Sequence, residues 1–225
     1  KTTKYGSYYF APNDIIYTQD LTVFPYSDYF YFVIFSSTIM NEWVWKNSAT
    51  MGSSTIRLNP SDCFETFPFP QNLNPKQEQL ETIGEAYDKH RRQLMLGMQL
   101  GLTKTYNLFH SNAIIAQSIN DKDKQVASLQ KHLEKTANTI SFDEARQGIL
   151  KLRELHVQMD EAVLDAYGWN DIELKHDFYE VDYLPENDRI RYTIHPVVRK
   201  EVLKRLLQLN HKIKKKKKAS GLLDK

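Results

Sequence analysis

The sequence predicts an α+β fold, with a small strand-rich unit over residues 1–70 and a helical region carrying one β-hairpin over residues 71–225. Three observations predict it. Before Pro75 the chain is rich in Tyr, Phe, Thr and Ser, arranged in short runs between turn formers. After Pro75 two long segments repeat apolar residues in steps of three and four. Near the C-terminal end, Phe178–Tyr183 and Arg189–Thr193 flank the turn-forming Leu184-Pro185-Glu186-Asn187-Asp188.

The elements follow in order. Ser7–Phe10, Asp14–Tyr17 and Leu21–Phe24 read as strands, separated by Ala11-Pro12-Asn13-Asp14 and closed by Pro25-Tyr26-Ser27-Asp28. From Asp28 to about Lys46, Phe32, Ile34, Phe35, Ile39 and Trp43 return near helical spacing, so a buried helix is expected there. Lys46–Leu58 reads as a polar loop. Pro68 and Pro70 exclude regular helix from the end of this unit. A helix is expected to open at Asn74-Pro75, with its seam on Leu80, Ile83, Tyr87, His90, Leu94, Gly97 and Gly101. A looser stretch holds a polar helix around 121–135. Ser141 and Glu144 then form a capping-box pattern. The helix behind it carries Ala145, Ile149, Leu152, His156, Met159, Val163 and Ala166, and Gly168 stops it. Two such seams in one chain should pack on each other. A last helix opens at Pro196 and runs to about Ile213, with Lys214–Lys218 extending it or hanging beyond it.

Composition narrows the class. With 41% hydrophobic and 12% aromatic residues the chain can build a core and is not disordered. No apolar stretch approaches the ~20 residues of a membrane span, so no membrane partner is expected. A single cysteine, Cys63, cannot staple the fold, and a reducing cytoplasm is the expected home. The chain begins at Lys1 without an initiator Met or a signal pattern, and reads as a piece of a longer or processed protein. Charge is uneven beneath a net +2: from His195 onward eleven Lys and Arg face only Glu201 and Asp224. Such an end suits phosphate contact or a solvated tail.

Sites of chemistry are scarce in these residues. Asn59-Pro60-Ser61-Asp62 partly matches the Asp/Asn/Ser-Pro-Pro-aromatic loop of amino-methyltransferases, but Ser61 replaces the second proline and Asp62 the stacking aromatic. A structural proline turn is the better reading. The seven histidines show no zinc spacing, and His156 in its heptad seam reads as a partly buried packing residue. Acidic neighbours of Cys63 argue against a nucleophilic thiolate. No catalytic or metal-binding residue is assigned. Binding remains. Lys46, Asn47, Ser48, Ser53, Ser54, Thr55 and Arg57 place base-edge readers and two positive charges in one Gly-containing segment. Asn pairs well with adenine and Arg with guanine, while Lys and Ser hold phosphate.

Several blocks carry a family resemblance. Asn59–Pro70, Arg91–His110, Asp143–Trp169 and Arg191–His211, with Tyr29–Trp45 before them, together resemble the C-terminal region of single-chain Type II restriction–modification adenine-specific DNA methyltransferases. The likeness runs in order over roughly residues 8 to 213. It implies sequence-specific recognition of double-stranded DNA, with an upstream methyltransferase domain as partner and S-adenosylmethionine as the parent protein's cofactor. None of that catalytic machinery lies in these residues, so no cofactor is expected here. Whether the parent also cuts DNA stays open. Departures from the family pattern are Leu58 in place of an aromatic, a longer 111–140 stretch and the lysine run. The competing expectation is a helical docking module whose seams bind another subunit or a sister chain.

Overall fold

A computed structural model describes residues 2–51, 55–71, 76–115 and 124–220. Among them the order is β1 (Thr2–Thr3), α1 (Tyr29–Ser36), α2 (Thr38–Asn47), β2 (Ala49–Met51), β3 (Thr55–Arg57), α3 (Pro60–Cys63), α4 (Gln77–Met98), α5 (Leu102–Phe109), α6 (Lys124–Lys135), α7 (Phe142–Tyr167), β4 (Asp177–Glu180), β5 (Ile190–Thr193) and α8 (Pro196–Ala219). Two small antiparallel sheets complete an α+β fold: β1-β3-β2 and β4-β5. No helix among the described residues is long and apolar enough to cross a membrane.

The long helices form where their seams require them. Leu80, Tyr87, Leu94 and Met98 of α4 are buried, as are Ala145, Ile149, Leu152, His156, Met159, Val163 and Ala166 of α7, and the two helices pack on each other. His90 Nε2 lies 2.8 Å from the Gly148 carbonyl at their crossing. The α7 seam is the expected one in full. That of α4 stops earlier than expected: Gln99 adopts a left-handed conformation at φ 52° and ends the helix, leaving Gly101 exposed. The expected start at Asn74-Pro75 lies outside the described residues. Ser141 caps α7 as its sequence requires. Its Oγ accepts the Glu144 N–H at 3.2 Å, and Glu144 accepts the Ser141 N–H at 2.8 Å. Ser141→Ala should therefore lower stability by about 1 kcal/mol. A midpoint unchanged in urea unfolding would show that the box contributes nothing.

The first seventy residues depart from expectation. Ser7–Phe10, Asp14–Tyr17 and Leu21–Phe24 form no strands. Aromatic side chains of the first and third segments dock instead on α1, Phe10 against Tyr29 and Phe32 and Phe24 against Phe35, with Phe64 also against Phe24. Arg91 fixes this path from below, donating at 2.7 Å to the Tyr8 carbonyl. The single helix expected from Asp28 is two helices broken at Ser37, whose ψ of 153° is extended. Ser37 Oγ donates to the Ile34 carbonyl at 2.7 Å and accepts the Met40 N–H at 3.2 Å. Serine thus replaces the main-chain partners that a continuous helix would supply.

Both short helices borrow caps from the long ones. Asp28 makes no side-chain cap to α1. Glu81 of α4 accepts the Tyr29 and Phe30 N–H groups at 2.9 and 3.1 Å. Asp160 of α7 accepts the Thr38 N–H at 2.7 Å. Carboxylates at helix N-termini satisfy otherwise unpaired donors and oppose the positive end of the dipole. Close packing secures the same contact elsewhere: a Cβ added to Gly84 would stand 2.9 Å from the Tyr29 carbonyl oxygen.

Lys46–Leu58, expected as a loop, contains the β2–β3 hairpin, with Ala49 opposite Arg57 and Thr50 opposite Ile56. The C-terminal hairpin forms as expected, Phe178 pairing with Tyr192 and Tyr179 with Arg191. The last helix runs past Ile213, and Lys214–Lys218 extend it. Most buried apolar residues between Tyr5 and Leu206 belong to one connected core, in which α1 packs on α4 and α2 on α8.

Candidate functional site

The segment expected to read DNA is built on the smaller sheet. Its middle strand is β3, with β1 and β2 on either side. Alternation along β3 puts Ile56 into the core and leaves Arg57 exposed. Ala49, directly across from Arg57, is small and exposed, and the Arg57 backbone is paired on both sides, with Ala49 of β2 and Thr2 of β1. Lys46 is exposed in the last turn of α2.

The other expected contacts divide. Asn47 is half-buried, and its amide donates to the Trp43 carbonyl at 2.8 Å. The Ser48 hydroxyl lies 3.0 Å from the buried Cys63 sulfur. The Asn47 amide is thus engaged within the last turn of α2, and Ser48 ties the base of the hairpin to α3. Thr55 is half-buried on β3. Ser53 and Ser54 lie outside the described residues. Among the described members of the set Lys46 and Arg57 are the exposed ones, and between Trp43 and Ser61 the sequence holds no acid.

Asn59–Asp62 makes the proline turn. Asn59 precedes α3 with Pro60 at its first position. The Asn59 amide donates to Asp62 at 2.6 Å, and the Ser61 hydroxyl donates to Asn59 at 3.0 Å. An amide held in its own turn is not poised to accept a base amine.

A second site was not legible in the sequence. Between the N-terminal segment, α1, α2, α5, α7 and the β4–β5 hairpin lies a cavity of about 70 Å³, lined among others by Lys4, Ser36, Glu42, His110, His156 and Arg191. Such a space has room for a few water-sized molecules and not for a nucleotide. Its walls are charged. Glu42 of α2 is 2% exposed, accepts from the Tyr183 hydroxyl at 3.2 Å and pairs with Arg199 of α8 at 3.3 Å. Burial pushes the Glu42 carboxyl up to about 7, against the pull of Arg199 and Tyr183. Burial pushes the His110 ring well below the usual histidine range, with added repulsion from Arg191, and also lowers His156, there against the pull of Asp160.

Beside the cavity Asp160 gathers three partners: the Thr38 N–H, His176 Nε2 at 2.8 Å and, more distantly, His156 Nε2 at 3.5 Å. Burial pushes the Asp160 carboxyl up, but these partners outweigh it and hold it below the usual carboxylate range. His156 is therefore more than the partly buried packing residue expected: it is buried, with Nε2 2.9 Å from Thr38 Oγ1. Its spacing of four from Asp160 on the α7 seam was the available signal. Among the described residues no group of three His, Cys, Asp or Glu is placed to hold a metal ion.

No protein-family model matches the chain, and neither a curated protein nor a solved structure matches it.

Proposed function

We propose that this chain is the target-recognition and helical-support region of a restriction–modification adenine-specific DNA methyltransferase. In this reading it binds double-stranded DNA, and methyl transfer from S-adenosylmethionine belongs to an upstream domain of the parent protein. One observation carries the contact: Arg57 is exposed on the middle strand of a sheet, and among the described residues no ion pair involves it. A guanidinium on paired backbone is pre-organised for bidentate contact to a guanine edge or a phosphate. Lys46 adds a second positive charge at the base of the same hairpin. The ordered block resemblance supplies the class of parent protein. The competing docking reading relied on the α4 and α7 seams; the two helices pack on each other, with the α7 seam buried and Ile83, His90, Gly97 and Gly101 of the α4 seam left partly or fully exposed.

Selection of bound sites from random duplex DNA is the direct experiment, and enrichment of one short sequence is the expected result. Arg57→Ala should cost about 1–3 kcal/mol in binding the enriched site, or relax one position within it. Equal affinity and an unchanged site preference would remove Arg57 from the interface, and recovery of random sequences by the wild-type chain would remove the recognition reading.

A further inference from the structure

We propose that the lysine-rich end of α8 is a sequence-independent clamp for duplex DNA, entering a groove and facing the phosphates of both strands. The choice of DNA rests on the recognition reading above, whereas the geometry stands apart from it. The docked face of α8 is written by Arg199, Val202, Leu206 and Asn210, all buried. Ile213, half-buried, continues that line, and the next residue on it is Lys217. From Lys214 to Ala219 every residue is exposed. The last turns of the helix therefore stand clear of the body, held in helical form by the docked turns before them.

Charge on this projection is uncompensated. From Val202 to Ala219 the sequence has no acid. Lys204 and Arg205 are paired with Glu201, and Arg205 also with Asp171. Among the described residues no ion pair involves Lys212 or Lys214–Lys218. Helical spacing sorts these six into two stripes. Lys212, Lys215 and Lys216 share one face, and Lys214, Lys217 and Lys218 share the opposite one. Like charges so placed repel along the helix, and the negative end of its dipole offsets this only in part.

A partner that fits must present anionic groups on two sides of a helix. The major groove, about 12 Å wide, admits an α-helix between two walls of phosphates. A bilayer surface or a single strand meets one stripe and leaves the other in solvent. Ile213 is the only large apolar side chain from His211 to Ala219, so the projection has no apolar face to insert into lipid. Lysine is a point charge without the fork that reads a guanine edge, which makes the contact independent of sequence. The projection is tied to the reader hairpin through one short segment: the Asn210 amide donates to the Thr66 carbonyl, and Cys63 of α3 touches Ser48 at the hairpin base.

The test uses the whole chain and two triple variants, K212Q/K215Q/K216Q and K214Q/K217Q/K218Q, with the combined sextuple. Probes are a mixed-sequence DNA duplex, the matching single strand, and phosphatidylserine vesicles. On the duplex each triple variant should lower the slope of log affinity against log salt by about 2 to 3, and the sextuple by about twice that. Helical content should stay close to wild type, because all six side chains are exposed. Unchanged slopes overturn the clamp, as does loss confined to one of the two triple variants, which would mean a one-sided surface. Tighter binding to vesicles or to the single strand than to the duplex, or no duplex binding at all, overturns it too. Recognition is scored separately: lysine-dependent binding without any enriched site would sink that reading and leave the clamp standing.

Discussion

Asp160→Ala is expected to lower the free energy of unfolding by about 3–5 kcal/mol. The side chain is fully buried. It accepts the first free N–H of α2, from Thr38 at 2.7 Å, and the His176 ring at 2.8 Å. Alanine removes the acceptor and leaves both donors buried in a region closed by Phe109, Tyr192 and Tyr87. The orphaned donors, more than the lost bonds, set the size of the effect. Asp160→Asn keeps one acceptor oxygen and should fall between alanine and wild type. Because the folded carboxyl is held below its ordinary value, its contribution is complete above about pH 4. It is lost as pH falls through the lower folded value. Urea unfolding at neutral pH provides the measurement. A loss under about 1 kcal/mol would mean that α2 does not depend on its borrowed cap.

Glu42→Gln should change how stability depends on pH, by about 3 kcal/mol across the neutral range. The folded carboxyl is raised from 4.5 to about 7. Below 4.5 the group is protonated in both states, and burial of the neutral acid contributes in full. As pH rises from 4.5 to 7 the unfolded chain gives up the proton while the folded chain keeps it, so stability falls. Above 7 the buried carboxylate has only Arg199 and Tyr183 to hold it. Glutamine does not titrate, so the wild-type curve minus the variant curve should be flat, then descend, then flatten again. His110 and His156, pushed down by burial, act in the opposite sense: their contribution is present above the ordinary histidine range and is lost toward acid. They are common to both proteins, and subtraction removes them. A difference curve without a step between pH 4.5 and 7 would show that Glu42 is ionised throughout.

Legibility in the sequence followed the range of the interactions. Apolar periodicity identified the seam of α7, and Ser141, Glu144 and Gly168 marked its ends, because capping is settled within a few residues. The β4–β5 hairpin was legible for the same reason. The first seventy residues were read as strand-rich because aromatic alternation resembles a half-buried strand. Aromatic side chains buried against α1 give the same pattern without any ladder partner for the backbone. Of the expected DNA contacts, Lys46 and Arg57 were legible as charges without neighbours. Ser48 was not legible as scaffold, since its partner Cys63 comes near only once the hairpin packs against α3, and Asn47 was read as a loop residue because α2 was expected to end at about Lys46.

The sequence by itself determined where α7 runs, which face it buries and where positive charge is left without acids. Those properties depend on side-chain spacing and local caps. Tertiary structure alone decided that the helix after Asp28 breaks at Ser37 and that Glu81 and Asp160 cap its two halves from other helices. It also decided that Glu42 meets Arg199 across 157 positions of chain. A buried donor takes whatever acceptor the packed neighbour brings within about 3 Å, and sequence spacing holds no record of that distance.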